Sequence, residues 1–178
     1  MFDNACKPHT WLESRVYMLL RYHGMELPEQ IDLKKLCSCY RIELQTICGR
    51  SRTHTHPMKE NHYVIAVDQS LDPLSMRVKI AHEFGHLVLH EGVQPKSSDL
   101  MIDWQEAQAN HFAEHLLMPF FMFAPLISKL TLYNAPQYLS SVFLVPEALA
   151  KKRFDRFLNR LYLSGYTHLL EGGSGCQS

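Results

Sequence analysis

The chain lacks the features that mark several common classes of protein. It has no net charge: Lys and Arg number 18, and so do Asp and Glu, among 178 residues. Without a global basic field, a dedicated binder of nucleic acid or anionic membrane is not expected. There is no run of about 18 apolar residues, so no bilayer span is predicted. The longest apolar patch, 118–126, is short and contains two prolines. Residues 1–10 show neither an apolar core nor a cleavage pattern, so no secretory leader is expected. Cysteine is scarce and odd in number (Cys6, Cys37, Cys39, Cys48 and Cys176), which fits free thiols in a reducing cytoplasm better than a disulfide framework. Cys37 and Cys39 are spaced Cys-x-Cys with no second pair, so a finger-like zinc cluster is not expected. Internal repeats are absent. What remains is enough apolar material, 46% of residues, for an ordinary core, and an unusual 11 histidines.

Apolar spacing predicts a helix over 11–23 with Gly24 as its stop, and a second over 28–39 with Pro28 in its first turn. Residues 41–47 and 62–67 read as strands. The polar, His-rich stretch 49–61 has no period and reads as a loop. Asp72-Pro73 opens a long helix: Asp72 can cap free N–H groups, and Pro73 loses nothing at the first helical position. That helix should reach about Glu91, where Gly92 ends it. Residues 94–99 read as a connection. Another long helix is predicted over 101–118, stopped by Pro119. The remainder is helical in tendency, broken at Pro125, Pro136 and Pro146, with a last helix over 146–164. The Gly/Ser-rich end, 171–178, is expected to be disordered.

The chemistry is carried by His82-Glu83-Phe84-Gly85-His86, an H-E-x-x-H pattern. On a helix, residues four apart share a face about one turn apart, so both imidazoles can converge on one zinc ion. Glu83 lies one position round from His82, where it can serve as general base without ligating the metal. Chance produces this pattern in roughly 4% of chains with 11 His and 11 Glu in 178 residues. Its place inside a capped amphipathic helix, with Ala81, Phe84, Leu87 and Val88 to bury, lowers that further. The pattern therefore points to zinc-assisted hydrolysis of a peptide bond.

A catalytic zinc needs a third protein ligand. His90 continues the row, but residues eight apart stand about 12 Å apart along a helix, too far for one ion to bridge His82 and His90. The longer H-E-x-x-H-x-x-G-x-x-H pattern is excluded, because Leu89 stands at its Gly and Gly92 at its last His. The next helix offers Glu106, and four residues later Asn110 on the same face, which can hydrogen-bond a ligand imidazole. Glu114 is the main competitor for the third position. His111 and His115 are weaker and could equally be surface residues. Tyr63, His90, His111 and His115 are the candidate transition-state donors, and nothing in the spacing chooses among them.

The stretches Arg77–His90 and Glu106–Pro119, with the strand at Tyr63-Val64-Ile65, resemble the ImmA/IrrE metallopeptidases. Weaker similarity runs from Trp11 to Arg153, including Val145-Pro146-Glu147-Ala148-Leu149. The resemblance implies an α+β, minimal zincin-like domain: a small β-sheet, two active-site helices and a helical C-terminal region. On this reading 1–119 forms the peptidase core, 120–165 the helical region and 166–178 a tail. It implies Zn²⁺ on His82, His86 and Glu106, with Glu83 as base. It further implies a cytoplasmic, phage- or mobile-element-associated regulator that cleaves a helix-turn-helix repressor. Gln108 departs from the pattern, since many relatives carry an acidic residue there, so Glu106 stands nearly alone as the carboxylate.

Two other functions compete. One is a non-catalytic zinc-binding regulator that sequesters a repressor, against which stands the intact Glu83. The other is a DNA-binding regulator acting through Lys151, Lys152, Arg153, Arg156 and Arg160 on the last helix, a run that a solvated helix face also explains. For a peptidase, an extended substrate segment would add to the sheet edge, and the strand over 62–67 is the expected edge.

Overall fold

Helix α1 (Trp11–Tyr22) begins with a capping box: Thr10 Oγ1 accepts from the Glu13 N–H (3.1 Å), and Glu13 Oε2 accepts from the Thr10 N–H (3.2 Å). Gly24, at φ +69°, turns the chain out of it. These details come from a computed structural model that describes residues 10–90, 99–127 and 134–163. The helix expected over 28–39 is two pieces. A 3₁₀ turn, Pro28–Gln30, is followed by α2 (Leu33–Cys39), because Asp32 is extended and caps the Lys35 N–H at 3.0 Å.

The sheet has three strands in the order β1-β3-β2. β1 (Ile42–Ile47) runs parallel to β3 (Tyr63–Asp68), and β2 (Arg52–Thr55) runs antiparallel to it with Thr53 opposite Ile65. Two expectations fail here. The stretch 49–61 is not all loop, since it contains β2. The strand over 62–67 is not an edge but the centre, with Val64 to Val67 all buried. β2 escapes a hydrophobic reading because Arg-Thr-His-Thr has no apolar face to bury, and three of its four residues are exposed.

Asp72 Oδ1 accepts from the Leu74 and Ser75 N–H groups at 3.0 and 3.1 Å, opening α3 (Pro73–His90). α3 packs along α4 (Asp99–Leu117). Their close approach depends on Gly85, where an added Cβ would stand 2.9 Å from Phe112 Cδ1. Phe84 and Phe112, both fully buried, meet ring to ring in this contact. Three helices follow among the described residues: α5 (Phe120–Ile127), α6 (Ala135–Phe143) and α7 (Glu147–Leu163). Pro125 does not break the chain but lies inside α5, whose buried Phe120, Met122, Phe123, Ala124 and Ile127 hold the two turns together. Pro136 and Pro146 sit at or before helix starts, where no N–H is needed. The expected tail, 166–178, and most of the connection 94–99 lie outside the described residues. No helix among the described residues is long and apolar enough to cross a membrane.

Cations of α7 reach across to the neighbouring helices. Glu114 of α4, buried, receives Lys152 at 2.6 Å and Arg156. Arg160 reaches Glu13 of α1 at 2.8 Å and lies over the Phe120 ring. Arg153, only 3% exposed, donates to the Met118 carbonyl at 3.0 Å. Lys151 pairs with Asp155 within the helix. Most of these cations are thus engaged in joining α7 to α1 and α4.

Candidate metal centre

His82 and His86 project from one face of α3 toward α4. Their Nε2 atoms are 3.1 Å apart. Glu106, near the middle of α4, places Oε2 3.3 Å from His82 Nε2 and Oε1 3.2 Å from His86 Nε2. Three ligand atoms with metal bonds of 2.0–2.2 Å in a tetrahedral arrangement stand about 3.3–3.6 Å apart. The observed separations, in which each histidine faces a different oxygen of Glu106, are within a few tenths of an ångström of that. Among the described residues this is the one group of three or more His, Cys, Asp or Glu side chains able to hold a metal ion.

The second nitrogen of His82 fixes its chemistry. Asn110 Oδ1 lies 2.9 Å from His82 Nδ1. An amide oxygen only accepts, so the proton sits on Nδ1 and the Nε2 lone pair faces Glu106 and His86. Burial, then the Lys79 charge, lowers the pKa of His82. Burial, then His82, lowers that of His86. Both shifts favour the neutral imidazole that a metal requires. The donor set, its spacing and its protonation state all fit a divalent cation.

Glu83, 7% exposed, is not part of the trio and is held at both oxygens. Lys79, one turn earlier on α3, approaches Oε1 to 2.8 Å, and the Thr53 hydroxyl of β2 donates to Oε2 at 2.6 Å. Burial pushes its pKa up, but Lys79 and Thr53 outweigh burial, and the net shift is down. Neither partner is marked by the motif. Lys79 carries one usable signal, since a Lys–Glu pair four apart on a helix faces one way. Thr53 carries none.

The four candidate donors are scattered. Tyr63 lines a groove of about 580 Å³ between α1 and the sheet, with Trp11, Tyr40 and Leu87. His111 meets Arg156 of α7 at 3.2 Å. His115 faces Glu13 of α1, 3.8 Å away. Of the four, His90 adjoins the trio, its ring 5.8 Å from His86 and 5.9 Å from Trp104. Glu114, the competing carboxylate, is engaged by Lys152 and Arg156 of α7. Cys37 is buried, with its thiol pushed up to about 12, chiefly by burial, while Cys39 and Cys48 are exposed.

The IrrE N-terminal-like domain, a peptidase family, matches residues 41–155. The uncharacterized protein YqaB of Bacillus subtilis is 25% identical over 150 residues, covering 84% of this chain and 86% of its own. The phage-like element PBSX protein XkdA, also of Bacillus subtilis, is 30% identical over 149 residues, covering 84% of this chain and 74% of its own. A solved structure described as a Mycobacterium tuberculosis transcriptional regulator superposes with a TM-score of 0.60 at 17% identity, over 85% of this chain and 57% of that one. It shares the fold, and the present chain spans little more than half its length. The matched segment contains the H-E-x-x-H helix, the Glu106 helix and the whole sheet, and the chain belongs to the IrrE N-terminal-like family of metallopeptidases.

Proposed function

We propose that the chain is a zinc-dependent endopeptidase whose metal is held by His82, His86 and Glu106 and whose general base is Glu83. The observation that carries this reading is the convergence of His82 Nε2 and His86 Nε2, 3.1 Å apart, on the Glu106 carboxylate, whose Oε2 and Oε1 lie 3.3 and 3.2 Å from them, beside a buried carboxylate, Glu83, that does not belong to the trio. When bound, the ion supplies Lewis acidity: it acidifies a water and polarises a peptide carbonyl. Glu83 accepts the proton as the water's oxygen adds to the carbonyl carbon. The C–N bond then breaks, and the same proton passes from Glu83 to the departing amine. Lys79 and Thr53 keep Glu83 ionised and aimed while it waits. Asn110 keeps the lone pair of His82 directed at the ion.

The substrate would lie extended along β2, the sheet edge tied to Glu83 through Thr53, rather than along β3, which is paired on both sides. The resemblance to ImmA/IrrE proteins and the phage-like-element relative favour a regulatory protein as substrate, a helix-turn-helix repressor in the cytoplasm. The test is co-expression with candidate helix-turn-helix repressors, comparing the unaltered protein with Glu83→Gln. Cleavage by the former alone supports the reading. Equal cleavage by both contradicts it.

A further inference from the structure

A groove of about 530 Å³ is lined in part by His82 and Glu106, two of the metal trio. One end is formed by His82, Glu106 and Asn110, with Lys79 beside them. The rest of its wall comes from two helices distant in sequence. Val78, four residues before His82 and on the same face of α3, stands opposite Pro146, Ala148 and Leu149 at the start of α7, with Leu71 and Ser75 completing it. The volume falls in the range of sites that enclose small ligands and leaves room for a side chain together with its flanking backbone.

Resting on the function proposed above, we propose that this groove is a specificity pocket for one uncharged, apolar side chain of the substrate, of the Leu, Ile, Met or Phe class, next to the bond cleaved. The charges in the groove decide its occupant. Among the described residues, Lys79 is the one cation in the lining and is already paired with Glu83 at 2.8 Å. Glu106, the one carboxylate there, faces the two histidines. A charged substrate side chain would leave water with no counter-charge to meet it, and that is unfavourable. An apolar side chain instead covers Val78, Leu71 and Leu149, which are only partly buried. The pocket also gives the C-terminal helices a part in the site: α7, pinned to α4 where Lys152 and Arg156 meet Glu114, sets the pocket's width.

The test uses zinc-loaded protein and a series of hydroxamates identical except for one side chain: hydrogen, isobutyl, benzyl, carboxymethyl and aminobutyl. Affinity is read by calorimetry, without any turnover. The isobutyl and benzyl compounds should bind roughly tenfold or more tighter than the hydrogen compound, from burial of a Leu-sized side chain, and the charged compounds no tighter than hydrogen. Ala148→Trp, at an exposed position on the groove wall, should erase the apolar gain while leaving the hydrogen compound's affinity intact. Ser75→Trp, from the opposite wall, should do the same. A flat series, or an apolar gain that survives both tryptophans, overturns the pocket. Apolar preference without hydrolysis of any peptide leaves the pocket standing and removes the peptidase. Hydrolysis with no side-chain preference removes the pocket alone.

Discussion

The Thr53 hydroxyl donates to Glu83 Oε2 across 2.6 Å, joining β2, an edge strand of the sheet, to the carboxylate at the centre of α3. With Lys79 on the other oxygen, it holds the Glu83 pKa down against burial. Thr53→Val keeps the side chain's shape and removes the donor. The Glu83 pKa should rise, so the acid limb of the kcat/KM profile should move to higher pH, and Thr53→Ser should restore it. An acid limb unchanged in Thr53→Val contradicts a part for Thr53 in holding the base.

Gly85 meets Phe112 where a Cβ would stand 2.9 Å from Cδ1 and 3.4 Å from the Ala109 carbonyl oxygen. Both helices here are buried, so the neighbour has little room to give. Gly85→Ala should cost about 1–3 kcal/mol in denaturant unfolding by overpacking. It should also weaken metal binding, because the helices that separate are those carrying His86 and Glu106. A variant as stable as the parent would show that α3 and α4 can part freely.

Much of this site is legible in the sequence, for a physical reason. An i, i+4 pair on one helix fixes its own geometry, so His82, Glu83 and His86 need no tertiary information. Glu106 and Asn110 require the added step that a second helix packs beside the first. The parts that stay hidden depend on which face of an element meets which neighbour. Thr53 lies in a polar strand with no apolar pattern, made a strand only by pairing with β3. His111 and His115 sit on the Glu106 helix, yet their contacts are with α7 and α1. The cations of α7 look like a solvated face until Glu13 and Glu114 are seen beneath them.

His115 should leave a mark on stability. Burial, then Arg153, presses its pKa down to about 3 from an ordinary 6.5, with His111 and Arg156 adding to the effect and Glu13 opposing it. The folded state thus holds the neutral ring, while the unfolded chain takes up a proton below 6.5. This contribution is intact above pH 6.5 and is lost as pH falls toward 3. Between pH 6.5 and about 5 the loss should reach about 1–2 kcal/mol. Unfolding midpoints of His115→Leu, taken across that window, should fall less steeply than those of the parent. Parallel curves would contradict the assignment.

The proposed assignment puts one zinc ion on His82, His86 and Glu106, with Asn110 behind His82. Metal content after dialysis, with affinity from chelator competition, tests it most directly. The parent should carry one zinc per chain. His86→Ala and Glu106→Ala should lose it, and Asn110→Ala should retain the site with affinity reduced about 10–100-fold. Stoichiometric zinc retained at unchanged affinity by His86→Ala or Glu106→Ala would contradict the account.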